Sequence, residues 1–149
     1  MIKFKVKKFY DFSVEELYAV LNLRADVFVV EQKSIYLDLD FKDQQALHIL
    51  GFVDGILIAY SRIFEKRVYC DLASIGRIVV AKAYRKYGYG LDLLSFSIKS
   101  IEIKFKEINI HISAQLYLTD FYKSHGFEIV GEEYLEDGIP HVGMEIIKN

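Results

Sequence analysis

The sequence is poor in cysteine and proline, and each scarcity excludes a class of architecture. Cys70 is the only cysteine, so no disulfide can form within the chain and no cysteine-based zinc site can be assembled. Pro140 is the only proline, and no repeat, low-complexity tract or Pro/Gly/Ser-rich linker divides the chain. We therefore expect residues 1–149 to form one globular domain with a single hydrophobic core.

Long apolar runs and an excess of positive charge are missing as well. Charged residues interrupt each apolar stretch well before the roughly 18 residues that a membrane span requires. The N-terminal segment alternates Ile2, Phe4 and Val6 with lysines, which is typical of a strand and not of a signal peptide. A formal net charge of −2 creates no basic field for nucleic acid or an anionic membrane. We expect a protein of the reducing cytoplasm that binds neither.

The hydrophobic pattern predicts an α/β domain with a mixed sheet. Ser13 followed by Glu16 is a capping-box signature that begins a helix, and Asp54-Gly55 between two apolar runs predicts an antiparallel hairpin. The predicted element order is β, α, β, β, β, α, β, α, β, β. After the N-terminal strand, the elements are a helix over 14–31, strands over 46–53, 56–64 and 69–80, a helix over 91–105 with an apolar stripe at 91, 94, 98, 101 and 105, a strand over 108–112, a short helix within 116–127 that ends at Gly126, and two strands that flank Asp137-Gly138.

A glycine loop, RKYGYG at 85–90, joins the strand that ends in Ile78-Val79-Val80 to the following helix. The first N–H groups of a helix have no intrahelical partner, and together with the helix dipole they form an anion site. The two glycines remove Cβ atoms that would hold a phosphate away from the backbone, while Arg85 and Lys86 add positive charge. An isolated G-x-G motif is more often a plain turn with solvated charges than a phosphate-binding loop, so the neighbouring motifs must decide between the two.

Two familiar phosphate loops do not fit this segment. A P-loop requires Lys-Ser or Lys-Thr after its last glycine, but Gly90 is followed by Leu91-Asp92. A dinucleotide-binding loop requires a third glycine where Leu93 stands, and it usually comes first in a parallel βαβ series. The loop therefore predicts neither a nucleotide hydrolase nor a dinucleotide-binding enzyme.

The glycine loop belongs to a longer series of motifs that resembles the GNAT N-acetyltransferases. Arg85-x-x-Gly88-x-Gly90 after the IGRIVV strand resembles the loop that binds the coenzyme A pyrophosphate in that superfamily. The joint occurrence of VFVVEQ, FYKSHGF and EDGIPH is the most specific part of the match. Segments that resemble the ElaA-like branch follow in order over nearly the whole chain: LRADVFVVEQ (23–32), YLDLD (36–40), His48, IGRIVV (75–80), SAQLYLTDFYKSHGF (113–127) and EDGIPHVGM (136–144).

This resemblance implies the GNAT acyl-CoA N-acyltransferase fold, a mixed, twisted and splayed β-sheet flanked by helices, with acetyl-CoA or coenzyme A as the co-substrate. Lys82 and Lys86 depart from the wider family pattern, which often has proline and glycine there, but lysine keeps its backbone N–H. The resemblance implies that the pantetheine arm lies against Ile78, Val79 and Val80 and near Gln115, and that the pyrophosphate is bound by Arg85, Lys86, Tyr87, Gly88, Tyr89 and Gly90.

Acyl transfer from a thioester to an amine requires a base for the amine, donors for the developing carbonyl charge, and an acid for the departing thiolate. The resemblance implies Tyr122 as the acid and a backbone N–H near Val79 or Val80 as the donor. Core packing is the alternative role for Tyr122, which lies in an aromatic helix. Glu31 is the candidate base, and an ion pair with Arg24, two helical turns away, is its alternative.

Carboxylates recur in two further segments. Asp38, Asp40 and Asp43 lack the spacing of an EF-hand, so we expect no calcium and no other metal site. Asp40 is a candidate contact for a cationic amine, although a solvated acidic loop is the commoner explanation. Glu136 and Asp137 form either an acidic rim or an ordinary charged hairpin tip.

Two histidines are candidate acceptor-binding residues. His48 begins an apolar strand and His141 follows the only proline. An imidazole ordinarily titrates near neutrality, which suits a base or a water relay. A lone histidine in a strand is usually a hydrogen-bonded structural residue, so both roles stay open.

These features predict an acetyl-CoA-dependent N-acetyltransferase that transfers an acetyl group directly, in a ternary complex, to a primary amine of a small molecule, peptide or protein. A non-catalytic acyl-CoA sensor or interaction module is the alternative from a different functional class. Strand edges and exposed aromatic residues could form a homodimer interface or simply belong to the core, so the sequence leaves the oligomeric state open.

Overall fold

The computed structural model describes residues 1–148 and contains seven strands in one mixed sheet. The strands are β1 (Lys3–Lys8), β2 (Leu47–Val53), β3 (Ile56–Phe64), β4 (Ala73–Val80), β5 (Ile110–Gln115), β6 (Glu128–Glu136) and β7 (Ile139–Ile146). The helices are α1 (Val14–Arg24), α2 (Tyr89–Phe105) and α3 (Thr119–Lys123). The strand order is β1-β2-β3-β4-β5-β7-β6, and the predicted mixed sheet flanked by helices is confirmed.

Both predicted hairpins are confirmed. Asp54 and Gly55 have φ values of 50° and 77°, and Asp137 and Gly138 have φ values of 52° and 78°. Two consecutive residues with positive φ are typical of the type I′ turn, whose twist matches that of antiparallel strands. These turns set the β2–β3 and β6–β7 pairings.

Helices cover both faces of the sheet. Ile49 and Ala59 belong to the larger hydrophobic cluster, which also contains side chains of α2 and α3. Their chain neighbours Leu50 and Tyr60 belong to a second cluster with α1, because successive side chains of a strand point to opposite faces. Each aliphatic side chain that is fully buried in these clusters stabilises the fold by about 1.5–3 kcal/mol.

The predicted helix over 14–31 has the expected extent but changes type. The capping box at its start is confirmed, because Ser13 accepts a hydrogen bond from the Glu16 N–H and Glu16 accepts one from the Ser13 N–H. After Arg24 the helix continues as a π-helical segment, Ala25–Glu31. A π-helix widens the turn and alters the direction of the following side chains, and such segments are frequent at functional sites.

Several predicted boundaries and one helix face were wrong. The fourth strand begins at Ala73 instead of residue 69, and β5 ends at Gln115 instead of 112. Leu91, predicted in the buried stripe of α2, is 46% exposed. Ser97 is fully buried instead, because its hydroxyl donates to the Leu93 carbonyl and bonds the hydroxyl of Ser61 in β3.

The sheet splits between its two central strands. Parallel β4 and β5 pair only at Ala73 with Ile110 and at Ser74 with His111, and they diverge beyond these residues. The split therefore forms an opening inside the sheet, and this opening positions the site described next.

Within residues 1–148, no helix combines the length and the apolar character that a membrane span requires.

Candidate active site

A cavity of about 440 Å³ occupies the split. The π-helical segment after α1 forms one wall, β4 and β5 form the floor, and α3 and the β6–β7 turn close the sides. Its lining includes nine of the residues that the sequence predicts for the site, namely Glu31, Ile78, Val79, Val80, Arg85, Gly90, Gln115, Tyr122 and His141.

A bulge in β4 shapes the floor of the cavity. Tyr60 of β3 pairs with Val79 and Arg62 pairs with Gly76, so β4 has one extra residue in this interval. Arg77 lies in the bulge with φ of 51°. Because β5 has diverged, the backbone on the open side of β4 faces the cavity and is available to a ligand. Its N–H groups are suitable donors to a carbonyl oxygen that gains charge.

The glycine loop lies at one end of the cavity. A 3₁₀ turn spans Lys82–Tyr87, and Gly88 then adopts φ of 75°, a left-handed conformation that glycine tolerates best. A Cβ added at Gly90 would meet Phe121 at 3.7 Å, an ordinary contact, so the fold itself does not require glycine there. Gly90 and Arg85 line the cavity, whereas the loop residues Lys86, Tyr87, Gly88 and Tyr89 lie outside its lining.

Glu31 binds Arg85 and not Arg24. The two Nη atoms of Arg85 donate to the two carboxylate oxygens of Glu31 over 2.6 and 2.9 Å, and Arg85 Nε donates to the Val80 carbonyl over 3.0 Å. The hydrogen bonds from Arg85 lower the pKa of Glu31. A carboxylate with both oxygens engaged and a lowered pKa is a poor proton acceptor, which opposes the predicted role of Glu31 as the base.

The position of Tyr122 is compatible with both roles that the sequence left open, core packing and proton donation. The residue is only 6% exposed and packs edge-on against Phe121 and Phe127, yet it lines the cavity. Burial raises the pKa of its phenol. The hydroxyl therefore stays protonated at neutral pH, as a general acid must before it donates.

Gln115 and His141 face each other across β5 and β7. They are directly paired in the sheet, and both line the cavity. Gln115 Nε2 donates to the side chain of Gln32 over 3.3 Å. The Nδ1 atom of His141 lies 2.7 Å from the Ile139 carbonyl, and its Nε2 atom lies 3.3 Å from Glu136 Oε2. Gln115, predicted to lie near the pantetheine arm, and His141, predicted to bind the acceptor, are therefore neighbours in the sheet.

The structure does not bring Asp40 and His48 into the cavity lining. His48 is 1% exposed, and its ring nitrogens contact the Tyr60 hydroxyl and the Asp43 carbonyl. Burial lowers the pKa of His48. Asp40 binds Arg62 through both carboxylate oxygens. Both predicted substrate contacts are therefore corrected to structural residues, since neither lines the cavity and protein groups bind their polar atoms.

Asp40 belongs to a network of six charged residues, of which Arg77 lines the cavity. Its three aspartates come from the segment that precedes β2, and its three arginines come from α1, β3 and the β4 bulge. The network is neutral, and its members are Arg24, Asp38, Asp40, Asp43, Arg62 and Arg77. Neither an amine entrance nor a solvated acidic loop, the two explanations offered by the sequence, describes these carboxylates.

The arginines outweigh the cost of burying these carboxylates. Desolvation alone would raise the pKa of Asp43, but hydrogen bonds from Arg24 and Arg62 lower it below its ordinary value. Arg77 Nε lies 2.7 Å from Asp38 Oδ1. The network therefore connects the segment before β2 to the bulge that forms the cavity floor.

The sequence patterns did not predict this network or several residues of the cavity lining. Ser34, Tyr36, Arg77 and Ser113 line the cavity but carried no prediction. The signal that could have found the network is an arginine inside an apolar strand pattern, because Arg62 stands in the run ILIAYSRIF and must find a buried partner.

Comparison with known proteins identifies the family. The model of the acetyltransferase (GNAT) domain matches residues 10–148. Escherichia coli (strain K12) protein ElaA is 39% identical over 146 residues, which cover 97% of this chain and 95% of ElaA. A UPF0039 protein of Synechocystis sp. is 37% identical over 144 residues, which cover 96% of this chain and 94% of that protein.

Solved structures give the same result. A crystal structure of an acyl-CoA N-acyltransferase from Pseudomonas aeruginosa superposes with a TM-score of 0.93 at 36% identity and covers 99% of this chain and 100% of that one. Escherichia coli ElaA superposes with a TM-score of 0.91 at 38% identity, with the same coverage.

The chain belongs to the GNAT acetyltransferase family, and its relatives place it in the ElaA-like branch. Membership supports acyltransferase activity in general and is consistent with acetyl-CoA as the co-substrate of the family. These relatives do not define the acceptor amine.

Proposed function

We propose that the protein is an N-acetyltransferase that uses acetyl-CoA to acetylate a primary amine by direct transfer within a ternary complex. The observation that carries the proposal is the cavity in the split, which brings the bulged β4 strand, the glycine loop and Tyr122 to one place. Acetyl-CoA would supply the activated acyl group as a thioester.

The coenzyme end of the cavity suits an extended thioester with a diphosphate. The open side of β4 offers backbone groups to the pantetheine amides at Ile78, Val79 and Val80. Helix α2 begins at Tyr89, and the free N–H groups of its first turn are suitable donors to the pyrophosphate. Arg85, in the 3₁₀ turn that precedes α2, lines the cavity and supplies the positive charge.

The transfer needs charge stabilisation and one proton donor at the reacting end. The N–H groups at the bulge of β4 are the donors we assign to the thioester carbonyl. Tyr122 is the acid we assign to the departing thiolate, since burial keeps its phenol protonated. A covalent enzyme intermediate is not required, because the amine can attack the thioester directly from the acceptor end.

The acceptor end is acidic and polar. Glu136 and Asp137 line the mouth together with Ser34, Tyr36 and Ser113. Ser34 Oγ donates to the Asp137 carbonyl over 3.0 Å and holds the β6–β7 turn against the wall. Carboxylates at an entrance favour an acceptor that arrives as a cation, which is the neutral-pH form of a primary alkylamine.

The first test measures thiol release from acetyl-CoA in the presence of small alkylamines, polyamines and lysine peptides. The second measures the binding of coenzyme A by calorimetry. Acetylated product and micromolar or tighter coenzyme binding are expected. Coenzyme binding without transfer to any amine would replace the proposal with a non-catalytic acyl-CoA module, and absence of binding would overturn both.

A further inference from the structure

His141 occupies the point where the acceptor end and the coenzyme end of the cavity meet. In β7 it pairs with Gln115 on one side and with Tyr134 on the other. Residues directly opposite in a sheet share a face, so the His141 ring lies on the same face as these two side chains. The ring is 6% exposed and lines the cavity.

A bulge in β6 brings a carboxylate to this ring. Val130 pairs with Gly143 and Tyr134 pairs with His141, so β6 has two extra residues in the interval, and Gly131 there has φ of 74°. Beyond the bulge, Tyr134 stacks on the His141 ring with a centroid separation of 6.1 Å. Bulges of this kind redirect side chains near sites.

The contacts of the ring select one tautomer. A carbonyl oxygen only accepts hydrogen bonds, so the Ile139 carbonyl at 2.7 Å requires the proton on Nδ1. In the neutral ring, Nε2 then carries the lone pair. Glu136 Oε2 lies 3.3 Å from Nε2 and would bind the proton that Nε2 gains. Ser113 Oγ donates to Glu136 Oε1 over 3.2 Å and fixes the carboxylate.

We propose that His141 is the base that deprotonates the acceptor amine and that Glu136 is a positioning residue that stabilises the imidazolium. This inference rests on the proposed function. The ammonium acceptor loses one proton to His141 Nε2, so an N–H bond breaks at the substrate and one forms at the ring. The freed lone pair attacks the thioester carbonyl, and Tyr122 gives its proton to the sulfur as the C–S bond breaks.

The proton balance closes without another reactant. The amine loses two protons in becoming the amide, the thiol gains one, and one leaves to solvent. The second amine proton restores Tyr122. Glu136 has a side chain that is 45% exposed, so it connects His141 to bulk water as the route for the released proton.

The other ionisable groups of the cavity are less suited to this role. Glu31 and Arg85 bind each other, and Arg77 binds Asp38. Tyr122 and Tyr36 have pKa values raised by burial and stay protonated. Asp137 lies in the β6–β7 turn at the acceptor mouth, and Tyr117 is 74% exposed.

The decisive variant is His141→Gln, measured with two classes of acceptor. With an alkylamine, which arrives protonated, we expect kcat to fall about 10²-fold or more, the usual contribution of a general base. With a hydrazide, which is neutral at pH 7, we expect a fall of less than about tenfold because no deprotonation precedes attack. Equal losses with both acceptors would show a structural role and overturn the proposal.

Glu136→Gln tests the positioning residue through pH dependence. Removing the carboxylate should move the acid limb of kcat/KM for the alkylamine to lower pH, because the imidazolium loses its partner. An unmoved limb would remove Glu136 from the mechanism. His111→Gln is the matched control, since His111 Nδ1 lies 2.8 Å from Glu145 in the same sheet but outside the cavity lining.

A readout that needs no turnover separates this inference from the proposed function. Nitrogen-15 NMR of the full-length protein, with His141 assigned by its variant, should find the proton of the neutral ring on Nδ1. A proton on Nε2 overturns the inference even if acetyl transfer occurs. Absence of transfer to any acceptor overturns the inference and the proposed function together.

Discussion

Arg85 and Glu31 form a two-pronged ion pair at the glycine-loop end of the cavity, with Nη–Oε distances of 2.6 and 2.9 Å. The residues are 54 positions apart in the chain and belong to different elements, namely the π-helical segment and the glycine loop. The same guanidinium is the one that we assign to the pyrophosphate. We therefore expect Glu31 to compete with the coenzyme for Arg85.

This competition predicts the effect of Glu31→Gln. Both side chains are about one-third exposed, so the pair contributes about 0–1 kcal/mol, and its removal should tighten coenzyme A binding by up to about fivefold. Calorimetry at low and moderate salt measures the change, with Glu102→Gln on the outer part of α2 as a control. Weaker binding of the Glu31 variant would show instead that Glu31 holds Arg85 in its binding orientation.

Gly90 and Gly88 should respond differently to alanine. At Gly90 the added Cβ meets only an ordinary contact with Phe121, and alanine favours a helix by about 0.5–1 kcal/mol, so Gly90→Ala should keep or raise the melting temperature. Coenzyme A binding should nevertheless weaken about tenfold or more, because the Cβ projects where the ligand approaches.

Gly88→Ala is the matched comparison. Its φ of 75° imposes a left-handed conformation that costs a non-glycine residue about 1–2 kcal/mol, so this variant should lose thermal stability. Thermal unfolding and calorimetry of both variants measure the contrast. Equal coenzyme binding by wild type and Gly90→Ala would remove the loop from the proposed pyrophosphate site.

Tyr122→Phe should separate catalysis from binding. Loss of the general acid predicts a fall in kcat of about 10²–10⁴-fold, with less than about a twofold change in the affinity for coenzyme A. Burial of Tyr122 means that phenylalanine preserves its packing, so the melting temperature should change little. Tyr18→Phe, at an exposed position of α1, is the control. A rate equal to that of wild type would exclude Tyr122 as the acid.

The charge network predicts a loss of stability in acid. The pKa values of Asp40 and Asp43 are lowered in the folded state relative to about 3.9 for an unfolded aspartate. Their contribution to the free energy of unfolding is therefore full above about pH 5 and is lost as the pH falls through the unfolded value toward the folded ones. Thermal unfolding between pH 7 and pH 3 measures this decline.

Asp43→Asn should reproduce much of that loss at neutral pH. The substitution removes the carboxylate that Arg24 and Arg62 share and leaves each of these almost fully buried arginines with one aspartate, and breaking a buried ion pair costs up to about 3–5 kcal/mol. Asp26→Asn, at an exposed position, is the control. A pH dependence of unfolding that is the same in wild type and Asp43→Asn would exclude Asp43 as a main source of the acid sensitivity.

The segment before β2 shows why local patterns misled the sequence interpretation. Between residues 34 and 41 the even positions, such as Asp38, are buried or half-buried, while the large apolar side chains at the odd positions are exposed, with Ile35 fully exposed and Phe41 86% exposed. Hydrophobicity alone predicts the opposite orientation. The arginines of α1, β3 and β4 reverse it, because each buried guanidinium requires a carboxylate.

The sequence by itself determined the order of the elements, both Asp-Gly hairpins, the capping box at Ser13 and the motifs of the family, since all of these depend on short-range backbone preferences and on spacing within one segment. Only the tertiary structure decided that Glu31 binds Arg85, that the three aspartates lie in a buried network, and that His141 stands beside Gln115 in the split. These outcomes depend on which distant segments meet, and the pairing of buried charge with its nearest opposite charge is a property of packing that no local pattern contains.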